Sequence, residues 1–160
     1  MEKDLANPSV SLKIRQIEFR THAHNTESIE KVKKSFLNLI PEEILQESFQ
    51  INNCTGAFSQ KILDVLIVLK IQKSIKYVVG KMGEKLSKDD KILLKFSFEN
   101  RLDEKLKFYF RLDKQFLALG KIKLAETNDV IQITIAIQNK SHSHITTDNI
   151  KKYFMDLNLL

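Results

Sequence analysis

The sequence has few of the residues that build disulfide-linked, linker-rich or membrane-spanning proteins. Its single cysteine, Cys54, rules out an intrachain disulfide framework and disfavours a cysteine-based zinc site. Four glycines and two prolines predict short loops and exclude a collagen-like chain. The longest apolar run, Val65 to Leu69, is far shorter than the roughly 20 residues of a membrane-spanning helix. These absences favour a soluble protein of a reducing, cytoplasmic compartment with no membrane partner.

The N-terminal segment lacks the apolar core of a secretory signal peptide, since Glu2, Lys3 and Asp4 lie within it. We expect a flexible N-terminal arm at residues 1–10 and a single α+β domain over 11–160. The length of 160 residues is typical of one domain and is sufficient for a hydrophobic core. A composition with 42% hydrophobic and 29% charged residues is that of a folded chain, which argues against disorder.

The sequence also lacks the motifs of common catalytic sites: a Gly-rich phosphate loop, a nucleophile elbow or an HExxH pair. Its adjacent carboxylates fall at predicted helix starts or turns, where acids are favoured locally. Two histidine pairs, at 22/24 and 142/144, have a spacing that could place both rings on one side of a strand and hold a metal. The second pair lies in a serine-rich segment typical of a surface loop. We therefore expect a non-enzymatic protein with no metal and no cofactor.

Alternation of apolar and polar residues predicts the strands. A slip in the alternation indicates a bulge near Arg15–Gln16 in the first strand. Val65 to Leu69 is apolar on both sides, which predicts a central strand covered on both faces, in part by a second subunit. The predicted strands cover residues 11–24, 49–51, 61–70, 105–112, 120–124 and 130–138, with a hairpin-like loop at 52–56.

Apolar residues at helical spacing predict helices between these strands. The first begins near Asn25–Thr26 as N-cap and ends before Pro41, and a short helical turn follows at 42–47. Further helices are predicted over 72–86, over 87–96 with Ser87 as N-cap, and after Thr146 or Thr147. One-sided strands and amphipathic helices together predict an α+β fold. The predicted architecture is a two-layer sandwich of a mixed, mostly antiparallel sheet with helices packed on one face.

The net charge of +6 is concentrated in residues 105–123, where six cations and one acid, Asp113, leave +5. On the predicted strand at 105–112, Lys105, Lys107, Tyr109 and Arg111 share one side at repeats of about 6.5–7 Å. This repeat is close to the phosphate spacing of an extended nucleic-acid strand, so lysine and arginine would neutralise phosphates while the tyrosine stacks on a base. An ordinary solvated strand face, whose lysines prevent edge pairing, explains the same pattern.

Two segments resemble a known family. The stretch from Ile17 to Glu27 looks like the "-F-x-H-A-T-E-" opening, and the stretch from Tyr109 to Gly120 looks like the "-R-F-D-K-Q-x-A-x-L-G-" block, of archaeal predicted RNA-binding domains and predicted exosome subunits. The resemblance covers about 17–137. It implies a fold similar to the ribosomal protein L-five group, RNA as partner and an accessory role to the RNA-degrading exosome. The motif residues, carried over by position, are Arg111, Asp113, Lys114, Gln115 and Gly120, with His22 and Thr26.

The chain departs from the family pattern at two places. The loop at 52–58 lacks the expected Gly-rich "G-x-x-G-N" pattern, and His24 stands where a Thr-like residue is expected. The Asp113-Lys114-Gln115 block also has a structural interpretation, in which Asp113 pairs with Arg111 or Lys114 and caps a turn. The sequence leaves this alternative open.

The hypothesis that best unites these features is a non-catalytic RNA-binding protein that uses a basic strand face, with an accessory role in an exosome or another RNA-processing complex. The alternative is a homodimeric scaffold or protein-interaction subunit, suggested by Val65 to Leu69 and the isoleucine-rich strand at 131–137. The candidate RNA-binding residues are Arg20, His22, Lys105, Lys107, Tyr109, Arg111, Lys114, Gln115, Lys121 and Lys123.

Overall fold

A computed structural model describes residues 11–24, 27–55, 61–141 and 143–160. These residues contain an open five-stranded sheet in the order β2-β3-β1-β5-β4, and each neighbouring pair is antiparallel. The first strand along the chain is therefore the middle of the sheet, with β2 and β4 at the two edges. The strands are β1 (Leu12–His24), β2 (Phe49–Thr55), β3 (Lys61–Leu69), β4 (Lys107–Asp113) and β5 (Val130–Asn139).

The helices pack on one face of this sheet, which confirms the predicted two-layer α+β sandwich. Phe36 of the first helix packs edge-on against Phe19 of β1, and Phe154 of the last helix packs against Phe108 of β4 with ring centroids 4.8 Å apart. The helices are α1 (Ile29–Phe36), α2 (Glu42–Ser48), α3 (Gln72–Lys85), α4 (Lys88–Phe96), α5 (Phe98–Arg101), α6 (Lys114–Ala118) and α7 (Thr147–Asp156). Within the described ranges, none of them combines the length and apolarity that crossing a lipid bilayer requires.

Strand register places the core in rows across the sheet. Phe110, Ile133, Phe19 and Ile67 are successive partners on β4, β5, β1 and β3, and each is at most 2% exposed. Burial of a large apolar side chain contributes about 1.5–3 kcal/mol, so such rows stabilise the strand order as well as the fold. Because side chains alternate along a strand, the polar residues between them lie on the opposite face.

The predicted irregularity of β1 is confirmed. Its pairing with β5 skips a position between Ile14 and Gln16, so Arg15 forms a bulge. The extra residue changes the parity of the buried positions, which explains why the alternation slips in the sequence. From Ile17 to His24 the strand then buries every second residue without interruption.

The predicted strand at 105–112 begins two residues late. Leu106 has a φ of +61°, a left-handed conformation that cannot continue a strand. The Asp103 carboxylate accepts hydrogen bonds of 2.9 Å from the N–H groups of Lys105 and Lys107 and so closes a turn before β4. Lys105 is therefore exposed on this turn, outside the strand row that the alternation predicted.

Other element boundaries in the structure also differ from the predicted ones. The predicted strand at 120–124 is reduced to one bridge, between Leu112 and Leu124. Helix α1 begins after Ser28, whose hydroxyl accepts from the N–H of Lys31. Residues 52–55, predicted as a loop, continue β2 opposite β3. The predicted arm at 1–10, the N-cap at 25–26, the rest of the predicted loop at 56–58 and His142 lie outside the described residues.

Candidate nucleic-acid interface

The face of the sheet opposite the helices is here called the open face. Its polar side chains come mainly from the middle strand β1 and from β5 and β4. They alternate with the core residues along each strand, so their positions follow directly from parity. The open face comprises Glu18, Arg20 and His22 on β1, Asp64, Leu66 and Val68 on β3, Lys107, Tyr109 and Arg111 on β4, and Gln132 and Thr134 on β5.

Two arginines lie on one row of the open face. Arg20 on β1 pairs with Gln132 on β5, and Gln132 pairs with Arg111 on β4. Strands lie about 4.8 Å apart, so the two arginine backbones are roughly 10 Å apart with an amide side chain between them. All three residues are exposed. The row therefore offers two cations and a neutral donor and acceptor to one ligand.

Acids lie beside the β1 end of this row. The Arg20 guanidinium is 3.7 Å from a Glu18 oxygen and 3.9 Å from an Asp64 oxygen, and the Nδ1 atom of His22 is 3.5 Å from Asp64. The Arg20 side chain is 49% exposed, whereas Glu18 and Asp64 are 29% and 15% exposed, and ion pairs of this length are weak. The exposed part of the Arg20 guanidinium can therefore also bond to a phosphate, although the two acids offset part of its charge.

A cleft of about 510 Å³ opens beside the β4 end of the row, and it is called here the arginine cleft. Arg101 of α5 and Arg111 both line it, together with Asn100, Tyr109 and Leu93. Arg101 is held from behind, because its Nε donates to the Ser97 hydroxyl at 2.7 Å and an Nη donates to the Tyr109 carbonyl at 3.5 Å. The cleft thus has a positioned guanidinium on one wall and an exposed one on another.

Among the residues that the structure describes, no carboxylate pairs with either arginine of the cleft. Over the described residues, the ion pairs within 4.0 Å involve Arg20, His22, Lys114 and Lys151, and neither Arg101 nor Arg111. Burial lowers the pKa of the Arg101 guanidinium, and the positive charge of Arg111 lowers this pKa further. An arginine remains charged at neutral pH, so the cleft concentrates positive charge that an anion would neutralise.

Tyr109 is fixed at the margin of the cleft. Its hydroxyl donates to the Asp103 carboxylate at 2.9 Å, and the side chain is partly exposed on the open face. Burial raises the pKa of the Tyr109 phenol, and the bond to Asp103 raises it further. The ring is therefore a neutral, positioned aromatic surface between Lys107 and Arg111.

Lys114 lies in a different environment, which is called here the Lys114 corner and also contains Glu27 and Asp129. Its side chain is 5% exposed, and its ammonium lies 2.7 Å from Glu27 and 3.6 Å from Asp129. It also donates to the His22 carbonyl at 2.6 Å. Lys114 was predicted to contact RNA, but in this arrangement its charge is enclosed and matched by the protein's own carboxylates.

The other residues of the Asp113-Lys114-Gln115 block also have intramolecular partners. The Asp113 carboxylate accepts from the N–H of Phe116 at 2.9 Å and so caps α6, rather than pairing with Arg111 or Lys114. Gln115 is exposed and donates to Asp129 at 2.7 Å. The block therefore ties the end of β4 to the end of β1, which favours its structural interpretation.

The remaining predicted contacts are spread over the surface. Lys121 is exposed beyond the end of α6, whereas the Lys123 ammonium lies 4.7 Å from the centroid of the Phe116 ring. Residues 105–123 therefore do not form one basic face. The structure brings together Arg20, His22, Lys107, Tyr109 and Arg111 on the open face, and it separates them from Lys105, Lys114, Gln115, Lys121 and Lys123.

Arg101 and Gln132 were not predicted from the sequence. Arg101 lies before the basic segment, between the predicted helix over 87–96 and the predicted strand at 105–112, so no sequence signal connected it with Arg111. Gln132 lies on the polar side of a correctly predicted strand. Its position between two arginines depends on pairing across three strands, which a single sequence does not reveal.

Comparisons with known proteins show which family the chain resembles. A family model described as RNA binding matches residues 16–137. The RNA-binding protein PAB1135 of Pyrococcus abyssi is 35% identical over 129 residues, which are 79% of this chain and 84% of that protein.

Two solved structures share the fold. Protein AF2318 from Archaeoglobus fulgidus has a TM-score of 0.72 and 22% identity, covering 91% of this chain and 99% of its own. Mth689, a DUF54 protein from Methanothermobacter thermautotrophicus, has a TM-score of 0.71 and 19% identity. The match covers 90% of this chain and 97% of Mth689. The predicted resemblance is thus confirmed at the level of an archaeal RNA-binding domain. Because the family model extends from β1 to β5 and covers most of the chain, the protein belongs to this RNA-binding family.

Proposed function

We propose that the protein binds RNA, without catalysing a reaction on it, through the open face, and that Arg20 and Arg111 are the principal phosphate contacts. The row Arg20–Gln132–Arg111 carries this proposal, because it places two exposed cations and an amide on one surface. Guanidinium groups form paired hydrogen bonds to phosphate, and the amide between them can bond to a sugar or a base edge. Membership of an RNA-binding family supports the choice of ligand.

Neighbouring residues extend this surface. Lys107 and Tyr109 lie on β4 beside Arg111, and His22 lies two residues along β1 from Arg20. The exposed Lys105 and Lys121 and the partly exposed Lys123 add long-range attraction around it. Lys114 supports the surface by holding the end of β4 to the end of β1, and Gln115 bonds to Asp129, just before β5.

Anisotropy of fluorescent RNA at two or more salt concentrations tests the proposal. Each phosphate contact releases counterions, so affinity falls with salt with a slope of roughly 0.7–0.9 per contact. An Arg20→Ala/Arg111→Ala variant should bind more weakly and lose up to about two units of that slope. The matched control is Lys31→Ala/Lys34→Ala, which removes two exposed charges from α1, in the helical layer.

Three results are informative. Equal losses in both double variants would mean that net charge, and not the open face, determines binding. An unchanged slope in the arginine variant would remove these two residues from the interface. A wild-type protein that binds no RNA at low salt would refute the proposed function itself.

An accessory role in the exosome or another RNA-processing complex is the finer form of this proposal, suggested by the family resemblance. A small RNA-binding subunit without chemistry of its own fits such a role, since it would hold RNA for an enzyme. Co-sedimentation with a reconstituted exosome, with and without RNA, measures it. Failure to associate under both conditions would leave RNA binding as an independent activity.

Self-association is a second candidate, favoured by the β3 side of the sheet. Leu66 and Val68 are partly exposed on the open face, and Ile51, which pairs with the core residue Val65 and so lies on the other face, is 45% exposed on the neighbouring edge strand β2. An edge strand with apolar neighbours can pair with another copy. Light scattering over a range of concentrations tests this, and a monomer at high concentration would contradict it.

A further inference from the structure

Helix α4 presents an exposed apolar stripe beside the arginine cleft. Phe96 is 86% exposed, Ile92 is 65% exposed and Leu93 is 48% exposed, whereas Leu94 faces the core at 1%. Single exposed apolar residues are common, but three on one short helix mark a contact surface. Leu93 lines the cleft, and Phe96 follows it by one helical turn on the same side.

Hydrogen bonds of Ser97 connect the end of α4, which carries the stripe, to the arginine cleft. Ser97 follows Phe96 directly, accepts a hydrogen bond from Arg101 and donates one to the Leu93 carbonyl. The end of α4 and the guanidinium of Arg101 therefore keep a fixed relation. An aromatic ring in solvent thus lies one helical turn from Leu93, which lines a cleft whose two arginines lack carboxylate partners within the described ranges.

This combination selects a ligand with negative charge and a flat, accessible apolar face. A duplex offers phosphates but hides the faces of its bases within the stack. Single-stranded RNA offers both, and stacking of bases on aromatic side chains is the usual partner of a basic groove in single-strand binding. Positive charge alone would suit a duplex as well as a single strand, and an exposed ring alone does not require an anion. The two features together therefore favour single-stranded RNA.

We propose that the arginine cleft binds a phosphate of single-stranded RNA and that Phe96 stacks on an unpaired base next to that phosphate. The inference rests on the proposed function and adds the class of RNA and a second contact outside the sheet. It makes α4 and α5 part of the interface, although the basic segment that suggested RNA binding lies entirely downstream of them.

The test compares one RNA sequence as a single strand and as a duplex, by fluorescence anisotropy at fixed salt. Wild-type protein should bind the single strand more tightly. Phe96→Ala should weaken single-strand binding by about 5- to 150-fold, the range for one lost stacking contact, and should leave duplex binding unchanged. Phe96→Tyr should restore it to within about twofold because it keeps the ring, whereas Phe96→Leu, which keeps only the apolar character, should not.

Leu119→Ala is the matched control. Leu119 is 73% exposed at the end of α6 and does not line the cleft, so its loss removes comparable apolar surface elsewhere. Arg101→Gln tests the contribution of charge in the cleft. It should weaken single-strand binding and reduce the salt slope by about one unit. Phe96 lies almost wholly in solvent, so its variants should fold normally, and their circular dichroism checks this.

The possible failures are distinguishable. If Arg20→Ala/Arg111→Ala loses RNA binding while Phe96→Ala keeps it, the open face stands and this inference fails. Equal affinity for single strand and duplex also overturns it. If Phe96→Ala binds all RNA normally but changes the molar mass in light scattering, the stripe is a protein contact instead. Absence of any RNA binding by the wild-type protein refutes both proposals.

Discussion

Two neighbouring cations at the C-terminal end of β4 lie in opposite environments. Arg111 points to solvent on the open face and shares the arginine cleft with Arg101, with no carboxylate within 4.0 Å in the described part of the chain. Lys114, three residues later, is 5% exposed and lies between the carboxylates of Glu27 and Asp129. One cation is available to a ligand, and the other stabilises the fold.

The difference follows from where the strand ends. Arg111 is an outward position of β4, so parity alone exposes it. Asp113 ends the strand and caps α6, and the change from strand to helix turns the next side chain inward. The +5 charge of residues 105–123 therefore overstates the charge available to RNA. A cation's role depends on its position relative to element boundaries more than on the charge of its segment.

The largest expected effect is the loss of stability in Lys114→Met. This change keeps the apolar stem but leaves Glu27 and Asp129 without their shared cation, and removal of one partner of a buried pair costs about 3–5 kcal/mol. The two carboxylates are 27% and 39% exposed, so water can partly replace the ammonium, and we expect about 3 kcal/mol. Urea unfolding measures it.

Lys121→Met is the control for that prediction, because Lys121 carries the same charge on the surface and should change stability by less than about 0.5 kcal/mol. RNA affinity separates the two roles. Lys114→Met should bind RNA normally at temperatures where it is folded. A large loss of affinity in the folded variant would break the comparison and make the Lys114 corner part of the interface.

Periodicity predicted the long elements because local pattern and tertiary environment agree there. The two sides of β5, the N-cap Ser87, the bulge of β1 and an N-cap at Thr146 or Thr147, which the structure places at Thr146, were all predicted from the sequence. Each depends on residues within a few positions of one another. The same alternation indicates which side chains lie on the polar side of each strand. It therefore identified Arg20, His22, Lys107, Tyr109 and Arg111 as candidate RNA-binding residues.

The features that the sequence did not reveal depend on backbone conformations or long-range pairing. The alternation from Lys105 to Leu112 is regular, yet Leu106 adopts a left-handed φ because Asp103 closes a turn over it. Helices α5 and α6 have four and five residues, too few to show a period. The burial of Lys114 requires Glu27, which lies between β1 and α1 and is distant in the sequence, and no local pattern encodes that contact.

A smaller effect is expected from Asp103→Ala, which opens the turn before β4. The variant loses hydrogen bonds to the N–H groups of Lys105 and Lys107 and to the Tyr109 hydroxyl, which should cost roughly 1–2 kcal/mol because the site is partly exposed. Tyr109 would also lose its anchor, so RNA affinity should fall modestly. Unfolding by urea and RNA anisotropy on the same samples measure both changes.

The pH dependence sharpens this prediction. Burial acts to raise the pKa of Asp103, but the hydrogen bonds from Lys107, Tyr109 and Lys105 outweigh it and lower this pKa from 3.8. The stabilisation is therefore complete above about pH 3.8 and is lost as the pH falls through the folded-state pKa. Asp103→Asn keeps the Oδ1 acceptor of both backbone bonds and should lose less than Asp103→Ala. A difference from wild type that persists undiminished in acid would contradict the charge-based explanation.

The smallest expected change in stability, and one of opposite sign, is that of Arg111→Gln. Burial lowers the pKa of the Arg101 guanidinium, and the positive charge of Arg111 lowers it further. Removal of the Arg111 charge therefore relieves a repulsion between the two arginines. Stability should therefore stay the same or rise by up to about 0.5 kcal/mol in low salt, and the gain should vanish in high salt, where surface charges are screened. The same variant should lose RNA affinity. Thermal unfolding at two salt concentrations measures the sign, and a clear destabilisation would mean that Arg111, like Lys114, is held by the fold and is not free for a phosphate.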